Sequence, residues 1–164
     1  MTRREAKRQW DQENTLINLG FTQAEAASLR RISMTLHRWH ELECGTDRGC
    51  IERDEQTGRA YWRNAMNGNR QSFPDRETAA LKRLAAILKA RNDRVTRLPV
   101  LTDEDATNRR PGADESDRTE AQKLALTAYV QTDPRGAALY ILRPGDIPEG
   151  GFVESYYNCG LCVY

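Results

Sequence analysis

No stretch of the 164-residue chain approaches the ~20 consecutive apolar residues that crossing a bilayer requires, so no membrane span and no membrane partner are predicted. The opening residues, Met1-Thr-Arg-Arg-Glu-Ala-Lys-Arg8, are charged and no apolar core follows them; a secretory signal is not expected, and a reducing cytoplasm is the expected compartment. Only four cysteines occur, which in that compartment read better as free thiols or metal ligands than as disulfides. The sequence also has no Gly-rich phosphate loop, no G-x-S-x-G and no paired-carboxylate signature. Its two histidines, His37 and His40, would have to serve a triad from a single helix face. A non-enzyme with no catalytic residue is therefore expected. No internal repeat is present.

What the chain does contain is 38% hydrophobic and 30% charged residues, enough for a real core in one ordinary domain or two very small ones. The net charge of +1 conceals a division. Residues 1–97 hold 19 basic and 13 acidic side chains, residues 98–164 only 6 basic and 11 acidic. Oppositely charged halves attract each other or show different faces to partners, and neither is the uniformly acidic surface of a nucleic-acid mimic.

The longest regular stretch runs from Thr22 to Glu43. Thr22 with Glu25 forms a capping-box signature, Cys44-Gly45 stops the helix, and Leu29, Ile32, Leu36 and Trp39 make a stripe that has to be buried. Before it, Arg3 to Leu19 reads as a helix closed by Gly20, with Trp10 and Ile17 on one face. After it, Cys50–Arg53 and Ala60–Arg63 flank Asp54-Glu-Gln-Thr-Gly58 as a small β-hairpin, and Asn67-Gly68-Asn69 marks another turn. A second helix begins at Ser72-Phe-Pro-Asp75 and runs to about Asn92, with Leu81, Leu84, Ala85 and Leu88 as its stripe. Residues 102–120 carry no aromatic or large aliphatic side chain and read as a linker. Beyond them the period turns to two. Leu124, Leu126, Ala128 and Val130 alternate with Ala125, Thr127 and Tyr129, Asp133-Pro-Arg-Gly136 is a turn, Ala137–Leu142 is a strand apolar on both faces, and Cys159–Tyr164 can supply a terminal strand.

The expected fold is α+β: an antiparallel hairpin of long helices with a projecting small β-hairpin, then a small, mainly antiparallel sheet. In residues, 1–97 form the helical part with the hairpin inserted at 44–71, 98–122 an acidic linker, and 123–164 a sheet that either stands alone or packs on the helices as one domain.

Three constellations could carry a function. His37, His40 and Cys44, spaced i, i+3, i+7, with Cys50 after a short excursion, would supply two imidazoles and two thiolates for zinc; Cys159-Gly-Leu-Cys162 is a second half-site. Partly buried thiols and a histidine face packed on the hairpin are the plainer account of the same residues. Phe21 to Trp39 also resembles a helix-turn-helix with Arg31-Ile32-Ser33 in the turn, but the apolar stripe passes through unbroken, which favours one helix. Finally, Arg48, Arg53, Arg59, Arg63 and Arg70 with Tyr61 and Trp62 could grip a partner. Glu52, Asp54 and Glu55 dilute that ribbon, as in a solvated hairpin with a packed Trp.

Leu-Gly-Phe-Thr at 19–22, Leu-Arg-Arg-Ile at 29–32, Arg-Trp-His-Glu-Leu-Glu-Cys-Gly at 38–45, Asp-Arg-Glu at 75–77 and Gln-Thr-Asp-Pro-Arg-Gly-Ala-Ala-Leu-Tyr at 131–140 resemble small accessory proteins of bacteriophages and prophages of proteobacteria. That resemblance implies a mobile-element protein that binds host machinery or nucleic acid in the bacterial cytoplasm. Some anti-defence proteins, anti-CRISPRs among them, come from this setting. The expected function is thus non-catalytic binding of a host protein complex, with a nucleic-acid-binding regulator using the basic half, or a small zinc protein, as the alternatives. A homodimer through the Leu36 stripe stays open should that stripe be exposed.

Overall fold

A computed structural model describes residues 2–96, 124–142 and 162–163. Three helices, α1 (Arg3–Asn18), α2 (Gln23–Glu43) and α3 (Asp75–Thr96), accompany an antiparallel sheet of β1 (Gly49–Arg53), β2 (Ala60–Asn64), β3 (Arg70–Ser72), β4 (Thr127–Asp133), β5 (Gly136–Leu142) and β6 (Cys162–Val163). The class is α+β. Among the described residues no helix is long and apolar enough to cross a membrane.

The start of α2 follows directly from two side chains. The Thr22 hydroxyl accepts the Glu25 N–H at 3.1 Å while Glu25 Oε1 accepts the Thr22 N–H at 2.8 Å, satisfying two donors that a bare helix end leaves unpaired. At the far end the Cys44 and Gly45 N–H groups both reach the His40 carbonyl, and Gly45 takes the positive φ of 60° that ends the helix. Arg31, Ile32 and Ser33 are helical throughout, so the helix-turn-helix reading falls. Leu29, Ile32 and Leu36 are buried together with Leu81 and Leu84 of α3 and Val130, Leu139 and Ile141 of the sheet. Arg94, late in α3, pairs with Glu25 at the start of α2, and Phe73, just before α3, packs on Trp39 near the end of α2; the two helices therefore run in opposite directions. From the α1 end it is Leu16, fully buried, that enters the core, whereas Ile17 is exposed. The Trp10 side chain, expected on a face with Ile17, lies outside the described residues. Leu16 is selected because the chain folds back immediately, Phe21 N–H donating to the Leu16 carbonyl across Gly20 with its φ of 95°.

The strand order is β3-β2-β1-β4-β5-β6. The sequence sets the 44–71 hairpin apart from the later strands, but β1 pairs with β4, Gly49 opposite Thr132 and Cys50 opposite Gln131, so strands from both sides of residues 97–123 share one sheet. The hairpin is an inner part of that sheet, not a projection. The cause is a side chain. Trp62 of β2 leans over Gly49 of β1, where a Cβ would lie 2.5 Å from the indole, and its Nε1–H donates to Thr132 Oγ1 of β4 at 3.0 Å. Three strands are thereby tied together. β4 begins at Thr127, later than the alternation beginning at Leu124 suggests, because Asn92 of α3 holds both backbone groups of Leu126 and Arg91 takes the Leu124 carbonyl. The Asp133–Gly136 turn forms as expected, with Asp133 Oδ1 accepting the Arg135 N–H at 2.7 Å, and β6 pairs with β5. The expected linker at 98–122, the breaks at Pro144-Gly145, Pro148 and Gly150-Gly151, and Cys159 lie outside the described residues.

Candidate binding surface

Side chains in β1 and β2 alternate between two faces. Ile51, Ala60 and Trp62 turn toward the helices; Cys50, Glu52, Tyr61 and Arg63 turn away. On that second face the sheet is buried at β4 and β5, where Tyr129, Ala138, Tyr140 and Leu142 cluster with Cys50, and accessible at β1 to β3. The register lines up Cys50, Arg63 and Arg70 in one cross-strand row and Glu52, Tyr61 and Ser72 in the next. Close cross-strand neighbours of this kind interact directly.

Glu52 organises the surface. Its Oε1 accepts Arg63 Nε–H at 3.0 Å, and its Oε2 accepts the Tyr61 hydroxyl at 2.8 Å. Partial burial alone would raise the Glu52 pKa, but hydrogen bonds from Arg63, Tyr61 and Cys50 outweigh it and hold the carboxyl below its usual range. The same hydrogen bond pushes the Tyr61 phenol up. Arg70 lays its guanidinium 4.4 Å from the centre of the Tyr61 ring, a cation–π contact, and lies 3.6 Å from Asp54. Asp54 in turn fixes the hairpin tip by accepting the N–H groups of Gln56 and Thr57, which holds its carboxyl below the usual range. Beside this frame Arg48 and Arg59 are exposed and have no ion-pair partner among the described residues. The result is a tyrosine–arginine platform on a hairpin anchored in the sheet, with exposed cationic groups beside it.

Of the seven residues singled out from sequence for partner binding, five lie on or beside this surface: Arg48, Arg59, Tyr61, Arg63 and Arg70; Arg53, opposite Ala60, is on the side of Ile51 that turns toward the helices. Trp62 is not on the surface either. It is 4% exposed, packs edge-on against Trp39 at 6.2 Å between ring centres, and closes the core over Gly49. Glu52 and Asp54, read as mere dilution of the basic ribbon, are the groups that position it. The signal was available: a turn at 54–59 sets the register that places Glu52 opposite Tyr61.

The four proposed zinc donors are dispersed. His40 is fully buried with Nε2–H donating to the Asp47 carbonyl at 2.8 Å; its Nδ1 is without a partner, and burial lowers its pKa. His37 sits elsewhere, Nδ1 3.3 Å from the Ala137 carbonyl oxygen and Nε2 3.1 Å from Glu41 Oε1, its ring against Gly136. Cys44 packs with Trp39 and Trp62, whereas Cys50 lies on the other face of the sheet. Burial pushes both thiols up to about 11, away from the thiolate that metal binding needs. Among the described residues no group of three or more His, Cys, Asp or Glu could hold a metal ion. The side chains of Cys159 and Cys162 lie outside them.

No protein-family model matches the chain, and no solved structure matches it. A stretch of 40 residues is 45% identical to part of the methylamine utilization ferredoxin-type protein MauM of Methylorubrum extorquens, a match that takes in 24% of this chain and 18% of that protein.

Proposed function

We propose that this is a non-catalytic binding protein of the phage or prophage accessory kind, which attaches to a host protein complex through the second face of β1–β2–β3 and acts as an inhibitor of bacterial defence. The observation that carries the binding role is the Tyr61–Arg70 stack held beside the Glu52–Arg63 pair, with Arg48 and Arg59 exposed around it. Tyrosine and arginine on a stiff support are the residue types that dominate interface energetics, since little side-chain freedom remains to be lost on binding. The phage-like sequence resemblance supplies the setting. The ferredoxin-type relative covers too little of either chain to enter this reading.

The second reading, a nucleic-acid-binding regulator, draws on the same exposed guanidinium groups, which can meet phosphates, and on Tyr61, which can stack a base. One experiment separates the two. The parent and a Tyr61→Ala, Arg70→Ala double variant are used to capture partners from bacterial lysate, with and without nuclease. A nuclease-resistant protein complex held by the parent and lost by the variant is the expected result. Recovery of nucleic acid alone, weakening steeply as salt rises, would favour the regulator; an identical partner set for both proteins would place the binding surface elsewhere.

A further inference from the structure

A second cationic surface lies where the outer sides of α2 and α3 meet. The Ser28 hydroxyl of α2, itself buried, accepts one hydrogen bond from Arg31 Nη2 at 3.2 Å and another from Arg83 Nη2 of α3 at 3.4 Å. Two guanidinium groups are thereby drawn to one oxygen with no carboxylate between them. Both arginines are exposed, and neither has an ion-pair partner among the described residues. The pattern recurs along the seam. Residues seven apart share a helix face, so Arg38 stands about 10 Å along α2 from Arg31, and Arg76 about 10 Å along α3 from Arg83. The helices are antiparallel and stay together from Glu25–Arg94 at one end to Trp39–Phe73 at the other, so Arg38 and Arg76 fall on the same side of Ser28. They too are exposed and without an ion-pair partner among the described residues. The other positions three, four or seven residues from Arg31 and Arg83 hold six alanines, Ser28, Met34, Thr35 and Ile87, with no acidic and no aromatic side chain. Carboxylates nearby are engaged: Glu13 with Arg30, Glu25 with Arg94 and Asp93 with Lys89, while Asp75 and Glu77 stand in the first turn of α3, where they answer the helix dipole.

We infer that this four-arginine seam is a docking surface for the phosphate backbone of a double-stranded nucleic acid, bound without regard to base sequence. Charge complementarity selects the partner, because guanidinium forks match phosphate oxygens and four of them here lack an internal anion. The two pairs, about 10 Å apart, are spaced on the scale of a duplex groove, so each can meet a different phosphate strand. The floor between them is mostly alanine, low enough for the arginines to meet the backbone first and without groups that read base edges. It also lacks an aromatic ring on which an unpaired base could stack, which favours a duplex over a single strand. The seam and the Tyr61–Arg70 platform lie on opposite faces of the sheet, so this inference rests on neither reading above and its failure leaves both untouched.

The test titrates the whole chain against a short fluorescein-labelled DNA duplex and follows anisotropy at several salt concentrations. Four phosphate contacts should give a slope of log affinity against log salt of about −3 to −4, the same for two unrelated base sequences. Arg31→Gln with Arg83→Gln should lower the slope to about −2 and weaken binding about tenfold or more at low salt, with the parent's melting temperature because both positions are exposed. Tyr61→Ala with Arg70→Ala should leave duplex affinity and slope unchanged. Polyglutamate, which carries the charge without the phosphate groups, should compete at least about tenfold more weakly than unlabelled duplex. The inference is overturned if the parent binds no duplex at low salt, or if the Arg31, Arg83 variant keeps the parent's slope and affinity. Loss of binding in the Tyr61, Arg70 variant alone would overturn it by moving the nucleic acid to the platform, and equal competition by polyglutamate would overturn it in favour of an acidic protein.

Discussion

Gly49→Ala should destabilise the protein through one contact. The added Cβ would lie 2.5 Å from the Arg63 carbonyl oxygen and 2.5 Å from both Cε2 and Nε1 of Trp62, closer than real Cβ atoms come to anything. Gly49 does not have a positive φ, so backbone strain plays no part, and exchanging a strand glycine for alanine would by itself stabilise by about 0.4–1 kcal/mol through the unfolded chain. The contact reverses that sign. The carbonyl belongs to the β1–β2 ladder and cannot withdraw, so the indole has to move; forcing it costs about 1–3 kcal/mol, and breaking the Trp62–Thr132 hydrogen bond inside the core costs a similar amount. A net loss of about 2–5 kcal/mol follows, or roughly 5–15 °C in melting temperature for a chain of this size. Urea unfolding followed by tryptophan fluorescence reads both the stability and the indole environment. Trp62→Phe is the companion: it removes the hydrogen bond and relaxes the crowding, so Gly49→Ala should cost less in that background. A Gly49→Ala variant within about 0.5 kcal/mol of the parent would refute the account of how the sheet is joined.

Leu36→Asp puts a charge without a partner at a side chain 1% exposed between α2, α3 and the sheet, and should abolish the cooperative thermal transition; a parent-like melt would show that the stripe is not core. Arg59→Ala, at an exposed hairpin position, should change stability by less than about 0.5 kcal/mol in the same assay. His40 is held below its ordinary pKa of 6.5 by burial, so above that value it is neutral in both states and its contribution is complete; as pH falls below 6.5 the unfolded chain takes up the proton first and stability drops. His40→Gln should flatten the urea midpoint over that window, and an unchanged slope would show that His40 titrates normally. Arg91→Met removes a buried guanidinium that binds the Leu19 and Leu124 carbonyls, and should cost about 2–4 kcal/mol by calorimetry despite the similar volume; neutrality would mean that those carbonyls find other donors.

The features legible in the sequence are the ones closed over a few residues. Thr22, Glu25 and Gly45 specify the ends of α2 on their own, Asp133 to Gly136 specify a turn, and the residues around Asp54 specify a hairpin. The Gly49–Thr132 pairing was not legible, because nothing near Gly49 announces which distant strand will lie beside it. That same omission misplaced Trp62. Tyr61 and Trp62 are adjacent aromatics on a two-sided hairpin, and either could face outward until the position of the helices and β4 is known. Arg48, Arg53 and Arg59 are exposed, as expected from sequence, because an unpaired guanidinium is costly to bury. The carboxylate Glu52, which positions Arg63, was missed because opposite charges in a row read as cancellation rather than as geometry.

The pairing of β4 with β1 has a kinetic side. β1–β2 and β4–β5 are each closed by a tight turn and can form on the microsecond scale of isolated hairpins, but the Gly49–Thr132 junction has to bring together segments separated by all of α3 and residues 97–123. Search entropy for such a closure grows only with the logarithm of the intervening length, about 0.6 kcal/mol per doubling, so the delay lies in finding the register rather than in the span. Until the indole of Trp62 settles over Gly49, the inner edges of both hairpins stand exposed to other chains, and it is in this interval that newly made protein is most prone to pair with its own copies.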